Sequence, residues 1–319
     1  MSASNPKPAY NAGRRIKWLM GAIFAFAAVY SAAWFYAASE VDSRVADEID
    51  GLQAQGVSVN CADRDVRGYP FRMGVFCSDF DAEIESGQVS INGGQLRSAA
   101  QVYDPRRLLV EVDAPLRITT PNQQFRLDYD VGQAVIEARD AGQRAGSVEF
   151  VDGALSDGQV TARWDRLTVF SRESDGNLEI AVQSVALGLD TVPLPALAID
   201  LDAAIENASY DDNQLRGRSG SLRRLTVRLG EDRGLIVEGP FNVSDAGLLN
   251  ANLSARFVDI DGIVSDLEAT SPQIAAALQG MFATRPRTGE KGDEVEMELV
   301  IKDGQIRLGF FTFEVFPAF

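Results

Sequence analysis

Two cysteines and no histidine set the chemistry open to this 319-residue chain. Without imidazole the commonest general base and metal ligand is missing, and with it every Ser-His or Cys-His nucleophile pair. Ser-Lys dyads and paired carboxylates remain as formal options. No GxSxG, P-loop or GxGxxG pattern occurs. Asp259-x-Asp261-Gly262 is too short a match to a calcium loop to count. No catalytic, cofactor-binding or metal-ligating residue is therefore assigned. The chain reads as a non-enzyme with no cofactor.

The cysteines carry the remaining chemistry. Cys61 and Cys77 lie in VSVNCADRDVRGYPFRMGVFCSDF. Val57, Val59 and Cys61 alternate with polar neighbours, as do Phe71, Met73 and Val75. Gly68-Tyr69-Pro70 is a turn signal between the two runs. Tyr69 is the midpoint between the cysteines, so a hairpin folded there predicts Cys61 opposite Cys77. In an oxidising compartment such an even pair reads as a disulfide. The alternative is two free buried thiols. No CxxC is present to make the pair redox-active.

The compartment follows from the stretch that must hold the rest in place. Trp18 to Ala38 is an uncharged apolar run, about the 20 residues that cross a hydrocarbon core as helix. Trp18 stands at one end and Trp34, Phe35 and Tyr36 at the other, as aromatic belts do. Lys7, Arg14, Arg15 and Lys17 precede it with no acid, which predicts a cytoplasmic N-terminus and an exported remainder. A cleaved signal peptide competes, but its apolar region is shorter and its exit carries small residues rather than bulky aromatics. The expected divisions are a cytoplasmic tail at 1–15, an anchor at 16–38, an amphipathic stalk at 39–56 and a periplasmic β-rich domain at 57–319. The stalk rests on Val41, Val45, Ile49 and Leu52 at helical spacing. The whole chain carries −16, which argues against nucleic acid and against charge-driven binding to anionic headgroups.

From Val57 to about Gly239, and again near the end, apolar and polar residues alternate with period two. Phe125, Leu127, Tyr129 and Val131 do so, then Leu225, Val227 and Leu229, then Val295, Met297, Leu299 and Ile301. This predicts antiparallel strands with one apolar face. The parity shift around Gln183-Ser184 predicts a bulge. A short cassette recurs at Ser86-Gly87-Gln88-Val89, Gly93-Gly94-Gln95-Leu96, Asp157-Gly158-Gln159-Val160 and Asp303-Gly304-Gln305-Ile306. It reads as tight turns using glycine at positive φ in a meander of hairpins. One late helix is expected from a Ser271-Pro272 cap to about Ala283, with Ile274, Ala277, Leu278 and Met281 on one face. A polar loop, TRPRTGEKGDE, follows. The aromatic ending, GFFTFEVFPAF, is expected to close a core.

The anchor, the segment Cys61 … Arg67-Gly68-Tyr69-Pro70-Phe71-Arg72 … Cys77, and the ending Asp303-Gly304-Gln305-Ile306-Arg307-Leu308-Gly309 … Pro317 together resemble DUF family 2125. That is a bacterial domain of unknown function with AsmA-like character. The stretch GSLRRLTVRLGEDRGLIVEGPFNV shares the strand-Gly texture of AsmA-like proteins. The resemblance implies a single-pass inner-membrane protein of the Gram-negative envelope. It also implies a long curved sheet with an apolar concave face, like that of bridge-like lipid transporters. The family has no established catalytic residues to carry over. The fold expected is mainly β: a long, antiparallel, meandering, curved sheet forming a groove or sandwich, with one late helix, behind a transmembrane helix. The expected function is binding or transfer of phospholipid in that groove. Leu225, Val227, Leu229, Val295, Met297, Leu299 and Ile301 are the candidate groove residues. The alternative is a non-catalytic scaffold that binds other envelope proteins through its sheet edges.

Overall fold

The computed structural model describes residues 12–84, 88–190, 192–210, 215–230, 233–270, 272–283, 285–289, 293–308 and 311–314. The expectations for most of the N-terminal tail, for Ser86-Gly87, for the Ser271 cap, for the Ile274 side chain and for the aromatic side chains of the C-terminus fall outside them.

The stretches expected as anchor and stalk form one unbroken helix, α1 (Ala12–Ala54). No proline interrupts it, and the helix runs on to Ala54, shortly before Gly56, where φ turns positive. Residues 13–29 are exposed, and the helix is long and apolar enough to cross a membrane. Beyond them Trp34 and Ala38 are buried, and Val41, Val45 and Ile49 are half-buried, while Leu52 at the end is exposed. The apolar stripe of the stalk therefore packs on its own domain, where Arg64 also holds Asp42 at 2.8 Å.

Twenty strands follow among the described residues. The first nine are β1 (Val57–Ala62), β2 (Asp65–Arg67), β3 (Arg72–Cys77), β4 (Asp79–Ile84), β5 (Val89–Gly93), β6 (Leu96–Gln101), β7 (Asp104–Val112), β8 (Leu116–Thr119) and β9 (Gln124–Asp128). Then come β10 (Val131–Ala138), β11 (Arg144–Ser156), β12 (Thr161–Ser174), β13 (Asn177–Leu189), β14 (Val192–Ile205), β15 (Ser219–Leu229), β16 (Arg233–Val243) and β17 (Leu249–Val258). Helices α2 (Ile260–Thr270) and α3 (Pro272–Phe282) precede β18 (Glu294–Lys302), β19 (Gln305–Leu308) and β20 (Phe311–Glu314). All pairings are antiparallel, and from β10 to β20 each strand pairs with the next, as the period-two alternation predicts. The result is a long, curved, open sheet.

The N-terminal third is not a meander. The sheet forks at β11. Its first half, Arg144 to Val151, pairs with β10 and leads through β7, β6 and β3 to β2. Its last residues, Ala154 to Ser156, pair with β9 and lead through β8, β5 and β4 to β1. Asp152, with φ 50°, lies at the fork and twists the strand between its two partners. The apolar faces of the two branches meet. A Cβ on Gly93 of one branch would touch Leu116 of its own branch and Val112 of the other. Tyr129 donates its hydroxyl to the Val112 carbonyl at 3.0 Å, and burial, helped by the Asp113 charge, pushes that phenol up to about 12.

Cys61 and Cys77 join these branches, their Cα atoms 5.1 Å apart. The turn at Gly68–Phe71 does close a hairpin, but it pairs β2 with β3, with Arg67 opposite Gly74. Cys61 lies on β1, opposite Phe80. Cys77 lies opposite Leu96 of β6. The cysteines are therefore not cross-strand partners in one hairpin, as the Tyr69 midpoint predicts. The bridge spans two layers because the chain leaves β1 for the other branch at Asp63, φ 48°.

At the other end two late helices replace the single one expected. Ile260, Ile263, Val264 and Leu267 give α2 a buried stripe, and Asp259 caps it by accepting the Gly262 N–H at 3.1 Å. In α3 the inner face is Ala275 and Phe282, buried, with Leu278 and Met281 half-buried; Ala277 is exposed, a correction to the expected face. Both helices pack on β16–β18, with Phe282 against Phe257 at 4.8 Å between ring centres. The α2 helix also reaches across to β14.

The anticipated bulge is present in β13, where register shifts between Ser184 and Leu187 and Ala186 has φ 55°. Two of the cassette glycines, Gly158 and Gly304, have positive φ. Gly93 and Gly94 do not; they are small because Leu116, Val112 and Asp113 crowd them.

Candidate functional site: a two-faced sheet

Cross-strand partners share a face, so the register sorts every strand residue. One line of direct partners runs Val110, Ala134, Val148, Val169, Val182, Leu201, Leu225, Val237, Ala255, Met297. Every member is apolar. The adjacent line on the opposite face runs Glu111, Gln133, Glu149, Thr168, Gln183, Asp200, Thr226, Ile236, Arg256, Glu296. Only Ile236 is apolar there. At about 4.8 Å between strands the apolar line is ~43 Å long.

The polar face is laced by ion pairs. Arg107 meets Glu137 at 3.6 Å, Arg228 meets Asp200 at 2.6 Å and Arg224 meets Glu238 at 2.9 Å. Glu179 accepts from Arg223 at 2.6 Å and from Arg172. Those two guanidinium groups, Arg223 foremost, hold its carboxyl below the usual glutamate range. A basin of about 440 Å³ lies among Arg107, Glu137, Arg172, Glu179, Asp202 and Arg223. Its acids and bases satisfy one another, which explains the basin as a solvated charge ladder. Among the described residues no group of three or more potential metal ligands is placed to hold an ion.

The apolar face is covered at both ends and open between them. At one end α2 and α3 seal β16–β18, and the cluster they build reaches Leu222 and Leu225. At the other end the second branch lies over β7, and Leu127, Tyr129 and Trp164 form a second buried cluster that takes in Phe150 and Leu167. Between them the apolar line is half-buried or exposed. Ile136 is 49% and Val148 38% exposed, and Val169, Val182, Ile199 and Leu201 are half-buried.

All seven candidate groove residues fall on this face, but they do not form one open trough. Val295, Met297 and Ile301 are buried under α2 and α3, and Leu225 and Leu299 pack against the same cluster. Val227 and Leu229 are half-buried outside it. The open stretch belongs to residues not singled out from sequence, chiefly Val148, Val169 and Val182, bordered by Ile199 and Leu201. Their alternation is visible in GSVEFV, RLTVFS and LAIDLD. Their alignment in one line is not, because it depends on register.

An open antiparallel sheet with one apolar face, joined among the described residues to one helix long and apolar enough to cross a membrane, is consistent with a membrane-associated β protein. The particular family is shown by sequence: the model described as "uncharacterized protein conserved in bacteria (DUF2125)" matches residues 34–313, and the chain belongs to that family. No curated protein and no solved structure matches it.

Proposed function

We propose that this chain is a single-pass protein of the bacterial inner membrane, N-terminus in the cytoplasm and sheet in the periplasm, that holds the acyl chains of a phospholipid on the open part of its apolar face. The observation that supports this reading is the unbroken apolar line whose middle, from Ala134 to Val182, is half-buried or exposed, with Tyr210 reaching the same face at its rim, its hydroxyl 2.6 Å from Ser171 Oγ. Apolar surface of that extent favours an apolar occupant at about 25 cal/mol per Å² covered. The charge ladder on the other face keeps the sheet soluble, and the reading includes no catalytic step.

Photocrosslinking tests it. Benzoylphenylalanine at Val182 is expected to label phospholipid in intact cells, and the same probe at Gln183, one residue on and facing the other way, is not. Labelling of lipid at neither position, or equally at both, refutes the reading. Labelling of a protein at Val182 supports the second reading, a scaffold. That alternative draws on β20, which among the described residues pairs on one side only and offers an edge for strand addition.

A further inference from the structure

One turn stands against α1 itself, and a second is fixed to the first. In the first, Gly68–Phe71, the Tyr69 ring stacks on Phe35 at 5.7 Å and meets Trp34 edge-on at 5.5 Å. Its hydroxyl lies 2.7 Å from Ser31 Oγ. Tyr30 donates to the Pro70 carbonyl, and Trp34 Nε1 donates to the Arg72 carbonyl at 3.1 Å. The second turn, between β6 and β7, is fixed to the first: the Val102 N–H donates to the Phe71 carbonyl at 3.1 Å. Yet the side chains these turns present are apolar and bare. Phe71 is 69% exposed, Tyr103 79% and Val102 43%.

The level of the contact on α1 is informative. At 1.5 Å per residue, Lys17 to Tyr30 rises about 20 Å and Lys17 to Phe35 about 27 Å. A hydrocarbon core is about 30 Å thick. With Lys17 at one surface, Tyr69 and Pro70 touch the helix in the outer third of the bilayer. Tyr and Phe favour that acyl–headgroup boundary, and Arg72, which follows the first turn, is a cation that lipid phosphate accepts.

We propose that the Gly68–Phe71 and Val102–Tyr103 turns form a membrane seat, sunk into the outer acyl–headgroup boundary of the bilayer that α1 crosses. The occupant of this aromatic patch is lipid, because the patch continues the lipid-exposed surface of α1. The proposal rests on the anchor reading above. It adds that β3, β6 and β7, which begin or end at these turns, start at the lipid surface. The apolar face then opens beside the membrane: Leu108 of β7 pairs with the exposed Ile136.

Depth-dependent quenching in the full chain tests this. Phe71→Cys, Tyr103→Cys, Leu19→Cys and Gln159→Cys are each labelled with an environment-sensitive fluorophore, without reductant, so that Cys61 and Cys77 stay joined. Each is reconstituted into vesicles of phosphatidylethanolamine and phosphatidylglycerol containing lipids with a nitroxide near the glycerol or near the chain end. The probes at Phe71 and Tyr103 are expected to emit in the blue and to lose most of their emission to the shallow nitroxide. The probe at Leu19, which reads the anchor alone, responds to nitroxide in its own half of the bilayer. Gln159, on the far rim, responds to neither. Quenching at Leu19 with none at Phe71 and Tyr103 overturns the seat and leaves the anchor standing. No quenching at any position overturns both. A blue-shifted but unquenched probe at Phe71 means a protein contact and also overturns the seat.

Discussion

An arginine placed at two positions on the same face separates a filled core from an open one. Val295 has no exposed surface and lies beneath α2 and α3. Val227 shares its face but lies half-buried outside that cluster. In Val295→Arg the guanidinium has no partner and no path to water. An uncompensated buried charge costs about 3–5 kcal/mol, against a total stability of about 5–15 kcal/mol. In Val227→Arg the aliphatic stem can lie along Ile199, the direct cross-strand partner of Val227, while the head reaches solvent. The cost there is about 1 kcal/mol or less. At roughly 2 °C of melting temperature per kcal/mol for a chain of this size, Val295→Arg is expected to lower the transition by about 8 °C or to abolish it. Val227→Arg shifts it by about 2 °C at most on the same scale. The assay is thermal unfolding of the full chain in detergent, followed by circular dichroism, with phospholipid retained after purification counted by mass spectrometry. Val227→Arg is expected to stay folded, and Val182→Arg, on the open stretch, to stay folded and lose lipid. A Val227→Arg protein as unstable as Val295→Arg would show that this part of the face is covered. A folded Val182→Arg, placed on the open stretch, that keeps the wild-type complement of lipid would refute the lipid reading.

Three further outcomes are expected. Replacing Cys61 and Cys77 by serine should cost about 3 kcal/mol, the usual figure for a loop near this size, and non-reducing peptide mapping of the wild type should recover the linked peptides; two alkylatable thiols would contradict the bridge. Glu179→Gln should flatten the acid limb of stability. The folded-state pKa of Glu179 is depressed, so its contribution is present above the unfolded value and lost as pH falls through the folded one; urea midpoints that fall in parallel for both proteins between neutral pH and the acid range would contradict this. A periplasm-dependent reporter fused after Phe319 should be active, and replacing Arg14, Arg15 and Lys17 by Glu should disturb insertion; activity of a cytoplasm-dependent reporter instead would reverse the topology.

What the chain shows in one dimension and what it hides divide along contact range. The alternation in β15 and β18 is local, so strands, antiparallel pairing and the existence of an apolar face can be read from Leu225 to Leu229 and from Val295 to Ile301. The long apolar helix at the N-terminal end is legible for the same reason. The cysteine pair is legible as a pair, but its placement is not: Cys61 and Cys77 sit on different branches because the sheet forks far downstream, at Asp152. The helix α2 is not singled out from the sequence: Asp259-x-Asp261-Gly262, set aside as a calcium loop, holds its cap, Asp259, with Ile260, Ile263, Val264 and Leu267 at helical spacing behind it. Which residues of the apolar face are covered is also out of reach. Val182 and Val295 have the same local pattern, and only the position of α2 and α3 makes one half-buried and the other fully buried.

The placement of the covers restricts how an occupant would enter. The second branch closes the face near β7, where Val112, Leu116 and Gly93 crowd together. Helices α2 and α3 close it from β16 onward, and α2 reaches across to β14. An acyl chain therefore has no end-on path along the apolar line among the described residues, and on the proposed reading it enters sideways, across the rim of β10 and β11. Ile136 and Val148, the bare residues of that stretch, mark the place. Sideways entry also gives the disulfide a purpose beyond stability. By holding β1 to the end of β3 away from the Gly68–Phe71 turn, it fixes the second branch over the face near Val112. A bulky polar substitution at the rim tests the route: Ile136→Glu is expected to leave folding intact, because the side chain is already half exposed, and to lower lipid labelling from Val182. Unchanged labelling would mean that the occupant reaches Val182 by another path.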